Sequence, residues 1–209
     1  MAALDPDPDA YTVLLDGPEV ELKVRGSRFI SQGFHAPDPE RIRQRLAEVR
    51  RRYHGATHHC WAARFGGVDG LEERSEDDGE PAGTAGVPIL KPMSGRGIHN
   101  GLVVVTRFYG GVKLGTGGLA RAYSDAALLA LDQAPVERAL LEDVVALTCS
   151  WDDMGTVEAV LARAGEKVSA VARGYDEQPA LRITVRRSAA AALRHDLVES
   201  TGGRVRFAG

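Results

Sequence analysis

The segment with the clearest potential for chemistry is a glycine-rich loop between an apolar strand and a helix. It reads VVVTRFYGGVKLGTGGLAR over residues 103–121. Because the first amides of a helix have no partner within the helix, such an amino terminus attracts phosphate. Arg107, Lys113 and Arg121 would add positive charge in one cationic surface beside it. The pattern favours contact with a phosphate or an RNA backbone, while close packing in a tight turn is the other explanation for the glycines.

Two familiar nucleotide-binding motifs describe this loop poorly. A P-loop ends in Gly-Lys followed by Ser or Thr, and that ending does not occur here. The spacing Gly115-x-Gly117-x-x-Ala120 matches a dinucleotide fingerprint, but that motif follows its strand directly and precedes a second strand ending in an acid. Here the helix ends at Pro135 instead. The residues predicted to bind a ligand at the loop are Arg107, Gly110, Gly111, Lys113, Gly115, Thr116, Gly117, Gly118 and Arg121.

A second candidate is the acidic segment EDDGEPAGTAGVP, residues 76–88. Clustered carboxylates could hold Mg²⁺ between the protein and a phosphate, because hard cations prefer oxygen ligands. A solvated acidic loop is the alternative. We therefore expect no dedicated cofactor, with Mg²⁺ on a phosphate ligand as the exception to test. The residues that this segment adds to the predicted binding set are Asp77, Asp78, Glu80 and Thr84.

The third candidate is the run His58-His59-Cys60. A zinc site would need four ligands at a recognisable spacing, and the sequence has no CxxC or HExxH. A nucleophilic cysteine would need a neighbouring base and an exposed, electropositive setting, whereas the strand around Cys60 favours a packed thiol. Strand alternation puts His58 and Cys60 on one face, and we include His58 in the predicted binding set. No residue is predicted to be catalytic.

The whole chain limits where these segments can operate. With 209 residues and 44% hydrophobic content, it can bury a core and form one or two domains. It has no apolar run of the ~20 residues that a membrane span needs. Only Cys60 and Cys149 occur, which fits a reducing compartment. We therefore predict a cytoplasmic protein without membrane association. At a net charge of −3, any nucleic-acid contact must come from a local basic patch.

Several elements must position these candidates. Residues 1–18 are rich in Asp and Pro and predict a flexible leader. Residues 21–36 predict either a strand pair or one long bent strand, with Gly26 at the bend, and Asp38 with Pro39 predicts the start of a helix. Residues 58–65 predict the next strand, and residues 67–86 predict a long acidic loop. A further helix is expected from near Thr116 to the proline at position 135.

The remainder of the chain predicts a second domain. Its strands and helices follow the order βαββαβ, with Asp152 and Asp153 capping the first helix. That order is typical of a ferredoxin-like domain, in which two helices pack on one face of an antiparallel sheet. The predicted boundary lies between Pro135 and Glu142. The two α+β domains would then cover residues 19–136 and 137–209.

Four stretches, taken in order, carry a resemblance to a known family. They are SRFI (27–30), ATHHCWAARFG (56–66), EDDGEPAGTAGVPIL (76–90) and LVVVTRFYGGVKLGTGGLARAYSDA (102–126). The sequence resembles the IMPACT/YigZ family over about residues 20–135, with Ala82 where serine is common and Phe108-Tyr109 in reversed order. The resemblance implies that the first domain has the fold of the second domain of a small-subunit ribosomal protein, also found in elongation factor G. It also implies a tail similar to ferredoxin-like domains of that factor.

The resemblance bears on function as well. Eukaryotic relatives restrain the amino-acid-starvation pathway of translation control, but they use an additional amino-terminal domain, so that activity is not transferred to this chain. We predict a non-enzymatic binding protein that contacts RNA or a ribosome-associated partner. One alternative is an enzyme or sensor for a phosphorylated small molecule, supported by fold analogy alone. Another is a protein–protein adaptor, which predicts an exposed apolar patch near Phe108 and Tyr109.

Overall fold

The chain is a mixed α+β protein, and the computed structural model describes residues 7–208. It forms two compact units. The first unit is Tyr11–Ala139, and the second begins at Leu140 and includes residues 7–10. No helix within residues 7–208 is long and apolar enough to cross a membrane.

The first unit is built around a five-stranded antiparallel sheet with the order β2-β3-β7-β4-β5. A smaller sheet has the order β6-β1-β8. The elements of this part of the chain are β1 (Ala10–Leu14), β2 (Val20–Val24), β3 (Ser27–His35), α1 (Pro39–Arg52), β4 (His58–Phe65), β5 (Glu72–Glu76), α2 (Gly86–Gly95), β6 (Ile98–His99), β7 (Gly101–Phe108), α3 (Gly115–Gln133) and β8 (Val136–Leu140).

Both faces of the five-stranded sheet are covered. Helix α1 packs its buried residues Ile42, Leu46 and Val49 on one face. Helices α2 and α3 cover the other face, where Tyr123 of α3 is fully buried against Phe29 of β3. Because β7 lies at the centre, side chains on both of its faces are buried.

The local signals predicted several of these elements correctly. Gly26 takes a φ of 84° in the turn between β2 and β3. Asp38 caps α1, since its carboxylate accepts the Arg41 amide at 2.8 Å. Helix α3 begins at Gly115, one residue before the expected position, and ends before the proline at 135. These predictions are confirmed.

Two of the predictions for the first half of the chain, the flexible leader and the acidic loop, were wrong in part. The flexible leader was expected over residues 1–18; residues 1–6 lie outside the described part, but Ala10–Leu14 forms strand β1, paired with β6. The long acidic loop contains strand β5 and the start of α2. Strand β5 lacks the usual apolar alternation because it is an exposed edge strand that pairs by its backbone with β4.

The second unit has the element order that the sequence predicted. Its strands form an antiparallel sheet with the order β10-β11-β9-β12, and α4 and α5 share one apolar cluster with the inner face of that sheet. Val145, Leu161, Ile183 and Leu197 lie in this cluster. The elements are β9 (Glu142–Thr148), α4 (Met154–Ala164), β10 (Val168–Tyr175), β11 (Pro179–Arg186), α5 (Arg187–Ser200) and β12 (Arg206–Phe207), with a short 3-10 turn after α4.

The predicted side-chain cap of α4 is not formed. Asp153 is the N-cap residue, but its carboxylate accepts the Arg204 guanidinium at 2.6 Å and the Ser150 hydroxyl at 2.8 Å. These two hydrogen bonds lower the pKa of Asp153. The Asp153 carboxylate therefore links the start of α4 to the segment that follows α5.

Candidate functional site

The glycine loop, residues 109–118, joins β7 to the first turn of α3 and is largely exposed. Two side chains of neighbouring segments hold its beginning. The Tyr109 amide donates to Thr57 Oγ1 and the Gly110 amide donates to Ser27 Oγ, both at 3.2 Å. The first part of the loop is therefore fixed, although it lies at the surface.

Packing and backbone conformation explain three of the loop glycines. A Cβ at Gly110 would lie 1.9 Å from the carbonyl carbon of Gly26, so no side chain fits there. Gly111 and Gly115 have φ values of 85° and 73°, which other residues rarely adopt. The structural explanation for glycine therefore holds at these positions.

Gly117 has no such explanation. It lies in the first turn of α3 without a positive φ. Apart from its chain neighbours and the backbone of its own helix, no heavy atom of the described residues would come within 4 Å of a Cβ placed there. In the same turn a Cβ at Gly118 would lie 3.2 Å from the Cβ of Leu114. No side chain in the described ranges caps this helix terminus. The exposed terminus of α3, with Thr116 and Gly117 at the surface, can accept a close approach by a ligand.

Three exposed cations, Arg25, Lys113 and Arg121, lie in the glycine loop or in the segments next to it. Lys113 lies in the loop, as predicted, and Arg121 lies on the second turn of α3. The sequence did not indicate Arg25, because only a tertiary contact brings it to the loop. It lies in the β2–β3 turn, where the neighbouring Gly26 packs on Gly110. All three are exposed, and none forms an ion pair with another residue between 7 and 208.

Arg107 does not belong to this exposed surface. It is only 5% exposed, and its Nη1 donates to Glu80 Oε1 at 2.5 Å. The prediction of one cationic surface is therefore wrong for Arg107, since helices cover both faces of β7 and the side chain turns inward. Its acidic partner is Glu80.

Glu80 joins the acidic segment to the core beneath the glycine loop. Its Oε1 also accepts the Tyr123 hydroxyl at 2.8 Å, and the Cys60 thiol lies 3.3 Å from the same hydroxyl. Burial raises the pKa of the Cys60 thiol to about 12 and raises the pKa of Tyr123. Cys60 is thus a packed, protonated thiol, as its strand position predicted.

His58 lies beside the same cluster. Its Nδ1 is 2.7 Å from the Asp78 carbonyl oxygen, so this nitrogen carries the proton and donates it. Its Nε2 is 3.9 Å from Glu80 Oε1. The neighbouring His59 is buried, and burial lowers its pKa. The structure therefore places His58 next to Glu80 and partly shielded from solvent.

The Asp77 carboxylate replaces a local cap for α2. It accepts three backbone amides, which belong to Gly83, Ala85 and Gly86 at 2.7–2.9 Å. Burial alone would raise the pKa of Asp77, but these amides outweigh it and hold the pKa below its usual range. This arrangement stabilises the start of α2, which explains why the sequence near the helix carries no capping signal.

The remaining residues of the acidic segment face separate partners. Asp78 accepts the His59 amide at 2.6 Å and the Arg50 guanidinium at 3.1 Å. Thr84 is buried and donates to the Pro81 carbonyl oxygen. Across residues 7–208 no group of three or more His, Cys, Asp or Glu side chains is arranged to hold a metal ion. Mg²⁺ binding together with a phosphate stays a prediction.

Comparison with known sequences places this geometry in a family. The sequence profile of the Impact N-terminal domain matches residues 25–131, which include the glycine loop and the acidic segment. An IMPACT family member of Haemophilus influenzae is 34% identical over 88% of this chain and 89% of its own. The IMPACT family member YigZ of Escherichia coli is 36% identical over 70% of this chain and 72% of its own.

A solved structure shares the fold over nearly the whole chain. It is described as the crystal structure of a hypothetical protein, is 30% identical, and superposes with a TM-score of 0.65 over 95% of this chain and 96% of its own. The profile covers the segments that build the glycine loop, and the relatives extend the match across both units. The chain therefore belongs to the IMPACT family.

Proposed function

We propose that this protein is a non-enzymatic binding protein associated with translation, whose glycine loop contacts RNA or a ribosome-associated partner. The observation that carries the proposal is the open amino terminus of α3 at Gly117. Neither close packing nor a positive φ requires a glycine at this position. Helix amino termini with free amides bind phosphate oxygens, and a residue without a side chain lets a phosphate approach the backbone.

The surrounding charges support a polyanionic ligand. Arg25, Lys113 and Arg121 are exposed, and within the described ranges none is neutralised by an ion pair. Cations without acidic partners attract a nucleic-acid backbone and release its counterions. The local charge thus compensates for the net charge of −3 on the whole chain. The implied resemblance to a domain of the translation machinery supports RNA as the polyanion.

The test is a salt titration of RNA binding. We expect a fluorescent 12-nucleotide oligouridine to bind at low salt, with log affinity falling by roughly 0.7 per phosphate contact for each tenfold rise in salt. Lys113→Ala and Arg121→Ala should each flatten that slope by about one contact. Arg51→Ala is the matched control, because Arg51 is exposed on α1, on the opposite face of the sheet. Absence of binding at low salt, or equal slopes for all three variants, would refute the proposal.

A protein–protein adaptor is the second candidate. Tyr109 and Val112 are 46% and 47% exposed, which supports the apolar patch that this function requires. A phosphorylated small molecule is the third candidate ligand, and the same helix amides would bind its phosphate.

A competition experiment distinguishes these two candidates from the RNA proposal. A small phosphate ligand would displace the oligonucleotide at low concentration, while a protein–protein adaptor would bind no RNA at all.

We also propose the finer fold assignments. The β10-β11-β9-β12 order, with α4 and α5 on one face, supports a ferredoxin-like second unit. The first unit would have the fold of the second domain of the small-subunit ribosomal protein.

Cys60 and Cys149 are both free, which supports the cytoplasm as the compartment. Calorimetry with and without Mg²⁺ tests whether the acidic segment binds that ion together with a phosphate ligand.

A further inference from the structure

We propose that Tyr109 is a stacking platform for an unpaired base, so that the ligand of the glycine loop is a single-stranded RNA. This inference rests on the proposed function and deepens it, because it names the part of the ligand that a side chain of this protein recognises. Its basis is the exposure of one ring, the support beneath it and the charges around it.

Of the two adjacent aromatic residues, Tyr109 is the more exposed and Phe108 is partly buried. Phe108 packs edge to face on Tyr53, with the ring centroids 6.2 Å apart, and the Arg28 guanidinium lies 5.4 Å from its centroid. Tyr109, in contrast, is 46% exposed. Since β7 ends at Phe108, Tyr109 is the first residue of the glycine loop and stands at its entrance.

The Tyr109 ring rests on a buried cation. The Arg107 guanidinium carbon is 5.4 Å from the Tyr109 centroid and 5.5 Å from the centroid of the fully buried Phe29. Glu80 holds that guanidinium in place. The result is a ladder of Phe29, Arg107 and Tyr109 that begins in the core and ends in an exposed aromatic ring. A nucleobase on Tyr109 would add the next layer.

The backbone beneath the ring is fixed before any ligand binds. Thr57 and Ser27 accept the amides of residues 109 and 110, and the close Gly26–Gly110 contact restricts the loop from the other side. A preordered aromatic side chain loses less conformational entropy on binding than a mobile one. Tyr109 is therefore built to receive a flat group rather than to fill the protein core.

The charges select a single-stranded nucleic acid as the source of that flat group. Proteins that bind single strands combine cations that follow the backbone with aromatic rings on which bases stack. Here Lys113 and Arg121 follow Tyr109 along the chain, and Arg25 lies in the turn that packs on Gly110. In a duplex the bases are stacked on each other, so an isolated ring at a loop entrance fits a single strand.

The test compares two substitutions on two ligands in the full chain. Tyr109→Leu should weaken binding of the 12-nucleotide oligouridine by about 5- to 150-fold, whereas Tyr109→Phe should bind nearly as tightly as the native protein. Neither should change the salt slope, because no phosphate contact is lost. For an oligomer with the same backbone but no bases, Tyr109→Leu and the native protein should bind equally. Tyr175→Leu is the control, since Tyr175 is 53% exposed in the second unit.

A second measurement reports stacking directly. A 2-aminopurine in the oligonucleotide should lose fluorescence on binding to the native protein and to Tyr109→Phe, and should keep it with Tyr109→Leu. Native binding with no effect of Tyr109→Leu overturns the stacking inference and leaves the proposed function intact. An equal loss on the ligand without bases also overturns it, because the ring would then act through the loop backbone. If the native protein binds neither ligand at low salt, the proposed function fails as well.

Discussion

Replacing Glu80 by alanine should destabilise the first unit strongly. The substitution leaves the Arg107 guanidinium buried without its carboxylate; in the native protein the two side chains are only 6% and 4% exposed. Removing one partner of a buried ion pair costs about 3–5 kcal/mol. In a chain of this size that corresponds to a fall in Tm of roughly 6–20 °C. The Tyr123 hydroxyl loses its acceptor at the same time.

Urea unfolding followed by fluorescence is the suitable assay. The chain has two tryptophans, Trp61 on β4 and Trp151 before α4, so the Trp151→Phe background makes Trp61 a reporter of the first unit. Glu21→Ala is the matched control, since it removes an exposed ion pair with Arg28 and should hardly move the midpoint. Glu80→Gln, which keeps the acceptor oxygen and loses the charge, should fall between the two.

A double variant guards against a trivial explanation. Glu80→Leu combined with Arg107→Met removes both charges and retains apolar volume, so it should recover much of the stability that Glu80→Ala loses. If Glu80→Ala shifts the urea midpoint no more than the surface control does, the pair does not link the acidic segment to the core. Failure of the double variant to exceed Glu80→Ala would also contradict the reasoning, because the cost would then not arise from an unpaired charge.

The loop and the cluster beneath it allow three further tests. Gly110→Ala should lower Tm because its Cβ would meet the backbone of residue 26. Gly117→Ala should leave Tm unchanged or raise it, because alanine favours a helix over glycine by up to about 1 kcal/mol and its Cβ meets no obstacle there. Thermal melts of both variants test these two expectations. Cys60 should react slowly with a thiol reagent at pH 8 and rapidly in urea, because its pKa is raised to about 12; fast labelling of the native protein would contradict the burial. Asp77→Asn should destabilise the protein at pH 7. In acid titrations the difference between the two proteins should start to shrink below about pH 4 and vanish only at lower pH, because the depressed pKa of Asp77 contributes stability that is lost as pH falls through the folded pKa.

The sequence predicted best the features whose signals are local. Asp38 and Pro39 mark a helix start by themselves, and Gly26 marks a turn, because cap and turn chemistry depend on a few neighbouring residues. The strand–loop–helix order around the glycine loop was also evident. Lys113 and Arg121 are exposed as expected, since loop and outer helix positions remain in solvent.

Features that depend on distant partners could not be predicted. The cap of α2 is the carboxylate of Asp77, which precedes the helix by a whole loop, so that helix carried no recognisable start. Arg107 was placed at the surface because the sequence does not show that helices cover both faces of β7, nor that Glu80 would reach it. Arg25 joined the site only through the contact between two glycines.

The exposed strand β5 also affects how the protein behaves towards other chains. A sheet edge offers free backbone groups to which a strand from a second molecule can add, and charged side chains discourage that pairing. Strand β5 reads EERSE, so acidic side chains line most of the free edge of the five-stranded sheet, while Arg74 lies over Phe65 on the neighbouring strand. Repulsion between like-charged edges is therefore expected to disfavour intermolecular β-sheet at β5, whether or not the protein has bound a ligand.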